Sequence, residues 1–325
     1  PESPEIHLHT ADLSPEDEAA LARNRAAFKR LQAVPRYLVD TSRRTADTTL
    51  FGRRHALPFG IAPTGLAHLG WPGADLVLAR AAAAADIPFV LSTSATTTIE
   101  RVVEAAPDHT WFQLYVPRDR EVCGDLLKRA GDAGAIGLMV TVDVPLPAKR
   151  ERDLRNGFLP ATLRSSPALA IDVLTHPSWS IRMLRNGMPR FENFAPYAAP
   201  KADAAALAAY LATQITRPLD WDDIAWLRDR WRGRFVIKGI LSRVEVECAV
   251  TRGVDGLLIS NHGGRQLDSA PAPIEIIPAI RAVVGDRLVL ALDSGVRRGS
   301  DVAKALALGA DFVFVGRATL YGAAA

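Results

Sequence analysis

The chain has 325 residues, 48% of them hydrophobic, with 39 basic against 36 acidic side chains. That length can bury a large core, and a net charge of +3 leaves no footprint for a nucleic acid or an acidic partner. The two cysteines, Cys123 and Cys248, build neither a disulfide framework nor a zinc site, which fits a reducing, cytoplasmic setting, and no uncharged apolar run reaches membrane-spanning length.

In chain order, eight short apolar runs recur, at 59–62, 88–92, 111–115, 136–141, 235–238, 256–260, 288–292 and 312–315, each closed by Gly, Ser, Thr or Asp. Near-continuous hydrophobicity predicts strands covered on both faces. Between most of them lie Ala-, Leu- and charge-rich helical stretches, at 74–85, 120–133, 243–251, 274–284 and 300–308. The alternation predicts an α/β fold, a (β/α)8 TIM barrel formed by residues 1–325 as a single domain. An open doubly wound sheet is the rival.

The pattern breaks twice. Residues 143–234, after the fourth strand, far exceed what a crossover needs and read as an excursion from the barrel. Helices are expected within it at 202–213 and 221–230. Its stretch 177–196 mixes Trp, Met, Phe and Arg, which suits an active-site lid, a subunit contact or a membrane-surface contact. After the eighth strand only ATLYGAAA remains, so the covering C-terminal helix is expected to be missing. Residues before Asn24 read as the remnant of a longer leading helix.

The chemistry-bearing residues sit where runs end. The segment 260–268, SNHGGRQLD, follows the sixth run. A Gly-rich loop there brings side chains to the barrel mouth, where His262 could take a proton near neutral pH and Arg265 could grip an anion. The segments 293–301, DSGVRRGSD, and Gly316-Arg317 follow the last two strands, the loops that commonly hold phosphate in this architecture. Only one of Arg297 and Arg298 need point inward. Lys238, ending the fifth strand, could hold negative charge on a cofactor or form a Schiff base. Asp143, just past Thr141, could orient a histidine, and Arg150 could pair with a substrate carboxylate or sit on a solvated charged face. Gln113 and Tyr115 alternate on the third strand toward one side, while Pro63-Thr64-Gly65 and Ser92 end the first and second. No metal motif, GxGxxG fingerprint or GxSxG elbow is present.

Together SNHGGRQLD, DSGVRRGSD and GRATLYG, with APTG, LSTSA, WFQLY and RERDLRN, make the chain resemble the FMN-dependent 2-hydroxy acid oxidase and dehydrogenase family from about Asn24 to Tyr321. The likeness is greatest to its bacterial mandelate-oxidising members, and HPSWSIRMLRNGMP resembles their membrane-attached segment. The resemblance implies FMN as cofactor. It implies His262 as the base, Asp143 as its partner, Arg150 and Arg265 on the substrate carboxylate, and Tyr115 near the substrate hydroxyl. It places Lys238 beside flavin N1 and O2, which removes the Schiff-base option, with Ser260 next to it. Pro63, Thr64, Gly65, Ser92, Gln113 and Thr141 would contact the ring or ribityl chain; Asp293, Gly295, Arg297, Gly316 and Arg317 would hold the ribityl and phosphate. The implied reaction takes an (S)-2-hydroxy acid, mandelate-like, to its 2-keto acid and passes electrons to a quinone-type acceptor. A homotetramer at the inner face of the cell membrane is also implied. Oxygen as acceptor, a flavin-dependent isomerase and a non-catalytic flavin-binding scaffold are the alternatives. Two positions stand out: Thr10 falls where the family has a substrate-binding tyrosine, and Gly65, alanine in many oxidases, leans toward a dehydrogenase.

Overall fold

Ten strands form in the computed structural model, which describes residues 15–149, 151, 175, 177–187, 189–215 and 217–324. The first two, β1 (Thr48–Leu50) and β2 (Arg53–His55), make an antiparallel hairpin. The other eight are β3 (Phe59–Ile61), β4 (Phe89–Ser92), β5 (Thr110–Leu114), β6 (Gly137–Thr141), β7 (Arg234–Ile240), β8 (Gly256–Ile259), β9 (Val289–Leu292) and β10 (Phe312–Val315). They pair in parallel and close into a barrel in sequence order, β10 returning to β3. The expected (β/α)8 architecture is therefore the observed one.

Side chains along each strand alternate between the barrel interior and the surrounding helices. Ala62, Val90, Trp111, Met139, Val236, Leu258, Ala291 and Phe314 point inward and pack as one buried cluster. Their neighbours, among them Leu91, Phe112, Leu138, Ile237, Leu257 and Val313, join the larger cluster under the helices. Leu50 and Phe51 of the hairpin meet the inner cluster at its lower end and leave a void of only about 10 Å³ against Trp111 and Met139. The sequence reading missed this hairpin. Its strands are three residues long and carry Arg53 and Arg54, too short and polar for a period-two signal.

The helices, in chain order, are α1 (Ala19–Arg30), α2 (Ala67–Gly70), α3 (Ala74–Ala84), α4 (Ile99–Ala105), α5 (Arg120–Ala133), α6 (Pro177–Asn186), α7 (Ala204–Ile215), α8 (Trp221–Arg230), α9 (Val244–Thr251), α10 (Pro273–Val284), α11 (Gly299–Ala307) and α12 (Arg317–Ala324). Local chemistry sets several ends. Asp119 accepts from Glu121 N and Val122 N to start α5, and Asp220 with Asp223 forms a reciprocal capping box on α8. Contrary to the expectation that no helix follows the last strand, α12 begins directly after β10 and packs on α2 and α3.

Helices α6, α7 and α8 belong to the long excursion. Trp179 Nε1 on α6 donates to Leu69 O at 2.9 Å, and the Arg182 guanidinium lies 3.8 Å from the centre of the Trp71 ring. These contacts fasten α6 to the loop after β3, while Leu184 and Ile181 remain 85% and 48% exposed. Among the described residues, no helix is long and apolar enough to cross a membrane.

Candidate active site

Two residues beyond each member of the inner apolar layer, the barrel turns polar. Val90 is followed by Ser92, Trp111 by Gln113, Met139 by Thr141, Val236 by Lys238, Leu258 by Ser260 and Ala291 by Asp293. The period of a strand sends all six inward at the C-terminal end, and each is buried. Thr64 and Gly316 stand at the same step beyond Ala62 and Phe314. The polar ring is laced together sideways. Ser92 Oγ donates to Gln113 Oε1 at 3.1 Å, Gln113 Nε2 donates to Thr141 Oγ1 at 2.9 Å, and Lys238 Nζ donates to Ser260 Oγ at 2.8 Å.

Above the ring opens a cavity of about 490 Å³, within the range of ligand sites. Pro63, Thr64, Gly65, Ser92, Gln113, Tyr115, Thr141, Lys238, His262, Arg265, Asp293, Gly295, Arg297, Gly316 and Arg317 all line it. Of the two neighbouring arginines, Arg297 faces the cavity and Arg298 is exposed. Ser260 and Asp143 are not among the lining residues; they stand behind Lys238 and His262. Arg150 and Thr10 lie outside the described residues. Ser94, Leu66, Val144, Phe191, Ala208, Leu211 and Ile215 also line the cavity and escaped the sequence reading. Most of these are apolar residues with no motif around them, which only a fold can gather.

His262 is held from both ring nitrogens. Nδ1 lies 2.9 Å from Asp143 Oδ1, and Nε2 lies 3.1 Å from the Tyr115 hydroxyl. A carboxylate only accepts, so Nδ1 carries the proton and Nε2 keeps its lone pair toward the cavity. Burial pushes the imidazole below its ordinary pKa, and Asp143 opposes that shift without cancelling it. Burial alone would raise the Asp143 carboxyl, but the charge of Lys238 and the interaction with His262 hold it below the usual carboxylate value. Burial would likewise lower the Lys238 amine, yet Asp293 at 3.6 Å and Asp143 at 4.0 Å keep it above its ordinary value. Asp143 reaches this position because Gly239, at φ 107° on β7, has no side chain; a Cβ there would come within 2.6 Å of Asp143 Cβ.

The cavity thus offers a buried cation and a neutral base together with arginines and Gly-rich backbone. An elongated cofactor with an electron-accepting ring and a phosphate tail suits that donor set: Lys238 would compensate negative charge on the ring, and Arg297, Arg317, Gly295 and Gly316 would suit the phosphate. These are the features of a barrel oxidoreductase that couples proton removal to a phosphorylated redox cofactor. The sequence pattern of the FMN-dependent dehydrogenases matches residues 4–325. (S)-Mandelate dehydrogenase of Pseudomonas putida is 41% identical over 310 residues, 95% of this chain and 77% of that protein. A putative L-lactate dehydrogenase of Mycobacterium tuberculosis is 39% identical, over 98% of this chain and 76% of its own length. The crystal structure of the monotopic membrane protein (S)-mandelate dehydrogenase superposes with a TM-score of 0.94 at 40% identity, covering 99% of this chain and 84% of that one. A mandelate oxidase structure superposes at 0.79 with 33% identity over 99% of this chain and 82% of the other. The chain belongs to the FMN-dependent dehydrogenase family, with FMN as its cofactor.

Proposed function

We propose that this chain oxidises an (S)-2-hydroxy acid of the mandelate or lactate type to the 2-keto acid and passes the electrons to a quinone-type acceptor. The observation that carries this reading is the His262 imidazole, bound to Asp143 through Nδ1 and to the cavity-lining Tyr115 hydroxyl through Nε2, beside Lys238. When bound, FMN supplies the two-electron acceptor. His262 Nε2 takes the substrate's proton, and the Asp143 carboxylate stabilises the imidazolium that results. Arg265 and Arg150 bind the substrate carboxylate and fix which face of C2 is presented. Tyr115 hydrogen-bonds the substrate hydroxyl in the place it now shares with His262. The Lys238 ammonium, buried and paired with Asp293, stabilises negative charge at the ring end of the cofactor site. Pro63, Thr64, Gly65, Ser92, Gln113 and Thr141 bind the ring and ribityl chain, with Ser260 steadying Lys238. Asp293, Gly295, Arg297, Gly316 and Arg317 hold the ribityl and phosphate.

The apolar wall of Val144, Phe191, Ala208 and Leu211 supports a substrate with a bulky apolar side chain. Exposed Ile181 and Leu184 beside Arg182 and Arg185 on α6 support attachment to an anionic lipid surface, on the cytoplasmic side, where a quinone would be met. Assembly into a homotetramer is part of the same reading, supported by the family's habit. Anaerobic stopped-flow mixing with a panel of 2-hydroxy acids tests the reaction. Wild-type flavin should bleach, and His262→Ala should keep FMN but stay oxidised. A His262→Ala flavin reduced at the wild-type rate would end the assignment of the base.

A further inference from the structure

His262 adopts a left-handed backbone, φ 58°, which Gly263 at 70° and Gly264 at 77° continue. For a histidine this conformation is costly and persists only where the surroundings over-determine it. Three side-chain oxygens do so, one for each amide. His262 N donates to Ser260 Oγ at 3.0 Å, Gly263 N to Ser294 Oγ at 2.9 Å, and Gly264 N to Asn261 Oδ1 at 3.0 Å. Asn261 is held in turn from outside the barrel. Asn24 Nδ2 on α1 donates to Asn261 Oδ1 at 2.9 Å, and Asn261 Nδ2 donates back to Asn24 Oδ1 at 2.8 Å and to Pro271 O at 3.1 Å. Both amides are buried, Asn24 completely.

Helix α1 is built onto this loop. Glu18, at its N-cap, makes no side-chain cap; Asp268 from the far end of the loop segment takes Ala19 N and Ala20 N instead, at 3.0 and 2.8 Å. Arg23 donates to Asp268 O and Ala270 O. A Cβ on Gly264 would come within 2.7 Å of Leu21 N, so helix backbone rests on loop backbone. Packing alone would be served by apolar side chains at 24 and 261. A reciprocal amide pair instead fixes one register, because any other leaves buried polar atoms unsatisfied.

We propose that Asn24 is a positioning residue for the base: through Asn261 it holds the 260–264 loop so that the His262 imidazole stays seated on Asp143. This rests on the reading of His262 as base. The test uses three FMN-loaded variants. Asn24→Ala removes both bonds to Asn261. Asn24→Asp restores an acceptor for Asn261 Nδ2. Lys304→Met is the stability control, because Lys304 Nζ donates to Phe28 O at the other end of α1 and touches no part of the loop. Asn24→Ala should retain FMN yet slow anaerobic flavin reduction by about 100-fold, the scale of a displaced catalytic group, with KM changed less than about threefold. The acid limb of its rate profile should move up toward the ordinary imidazole value as the ring loses its enclosure, with Asp143, Lys238, Arg265 and Tyr115 all still present. Asn24→Asp should fall between Asn24→Ala and wild type, and it carries the test if Asn24→Ala does not load FMN. Lys304→Met should lower the Tm but keep the wild-type rate and profile. The proposal is overturned if the Asn24 variants keep the wild-type rate and pH profile, or lose rate only as Lys304→Met does at equal loss of Tm. Flavin reduction persisting in His262→Ala would instead overturn the base itself, so the two failures are distinguishable.

Discussion

Replacing Asp143 by asparagine separates its charge from its shape. Asp143 Oδ1 lies 2.9 Å from His262 Nδ1, and the two side chains are only 13% and 17% exposed. Once His262 takes a proton, the pair becomes an ion pair with charge centres about 4 Å apart, worth about 4 kcal/mol at an effective dielectric near 20. Asparagine keeps a hydrogen bond worth about 1 kcal/mol. The net of about 3 kcal/mol corresponds to about a 100-fold slower reduction of the bound flavin. Asp143 also holds the His262 pKa up against burial, so Asp143→Asn lets the pKa fall further. The neutral base then survives to lower pH, and the acid limb moves acidward while the plateau drops. Anaerobic stopped-flow spectrophotometry across pH reads both effects on FMN-loaded protein. A plateau within threefold of wild type, or an acid limb moved upward, would refute the ion-pair argument.

Lys238→Met leaves the carboxylates of Asp293 and Asp143 buried without their cation; breaking such a pair costs about 3–5 kcal/mol, so the melting temperature should drop by several degrees and FMN should be lost on gel filtration. An unchanged Tm with full FMN content would contradict it. In the wild type, burial sets His262 below the ordinary imidazole value of 6.5, so the rate of flavin reduction should stay level through neutrality and fall only in more acid solution. The same depressed pKa gives a stability contribution present above 6.5 and lost as pH falls through the folded value, which thermal melts in acid buffers would register. Ile181→Glu combined with Leu184→Glu on α6 should abolish co-sedimentation with anionic vesicles while a soluble dye still accepts electrons at the wild-type rate; undiminished sedimentation would remove α6 from the lipid contact.

The polar ring was legible because strand period ties it to the core. Ser92, Gln113, Thr141, Lys238 and Asp293, named at run ends and given their roles by the family resemblance, line the cavity, and strand period explains why they do. The Gly-rich loops with His262, Arg265, Arg297 and Arg317 were legible for another reason, since packing does not explain arginine and histidine among glycines. What escaped notice has no local signature. Asn24 reads as a polar residue in an amphipathic helix until α1 is laid on the 260–268 loop. Phe191, Ala208 and Leu211 read as helix or loop apolar residues until the excursion folds over the barrel. The hairpin 48–55 hid because two three-residue strands carry no period.

The hairpin has a kinetic consequence. Leu50 and Phe51 plug the barrel from beneath, and the gap they leave is no larger than a water molecule. With the inner apolar layer above them they fill the barrel axis, so among the described residues no passage runs from the cavity down that axis to the floor. If substrate, product and acceptor share the open side of the cavity, an order in which the oxidised acid departs before the acceptor docks gives parallel lines in a double-reciprocal plot, and intersecting lines would show both bound at once.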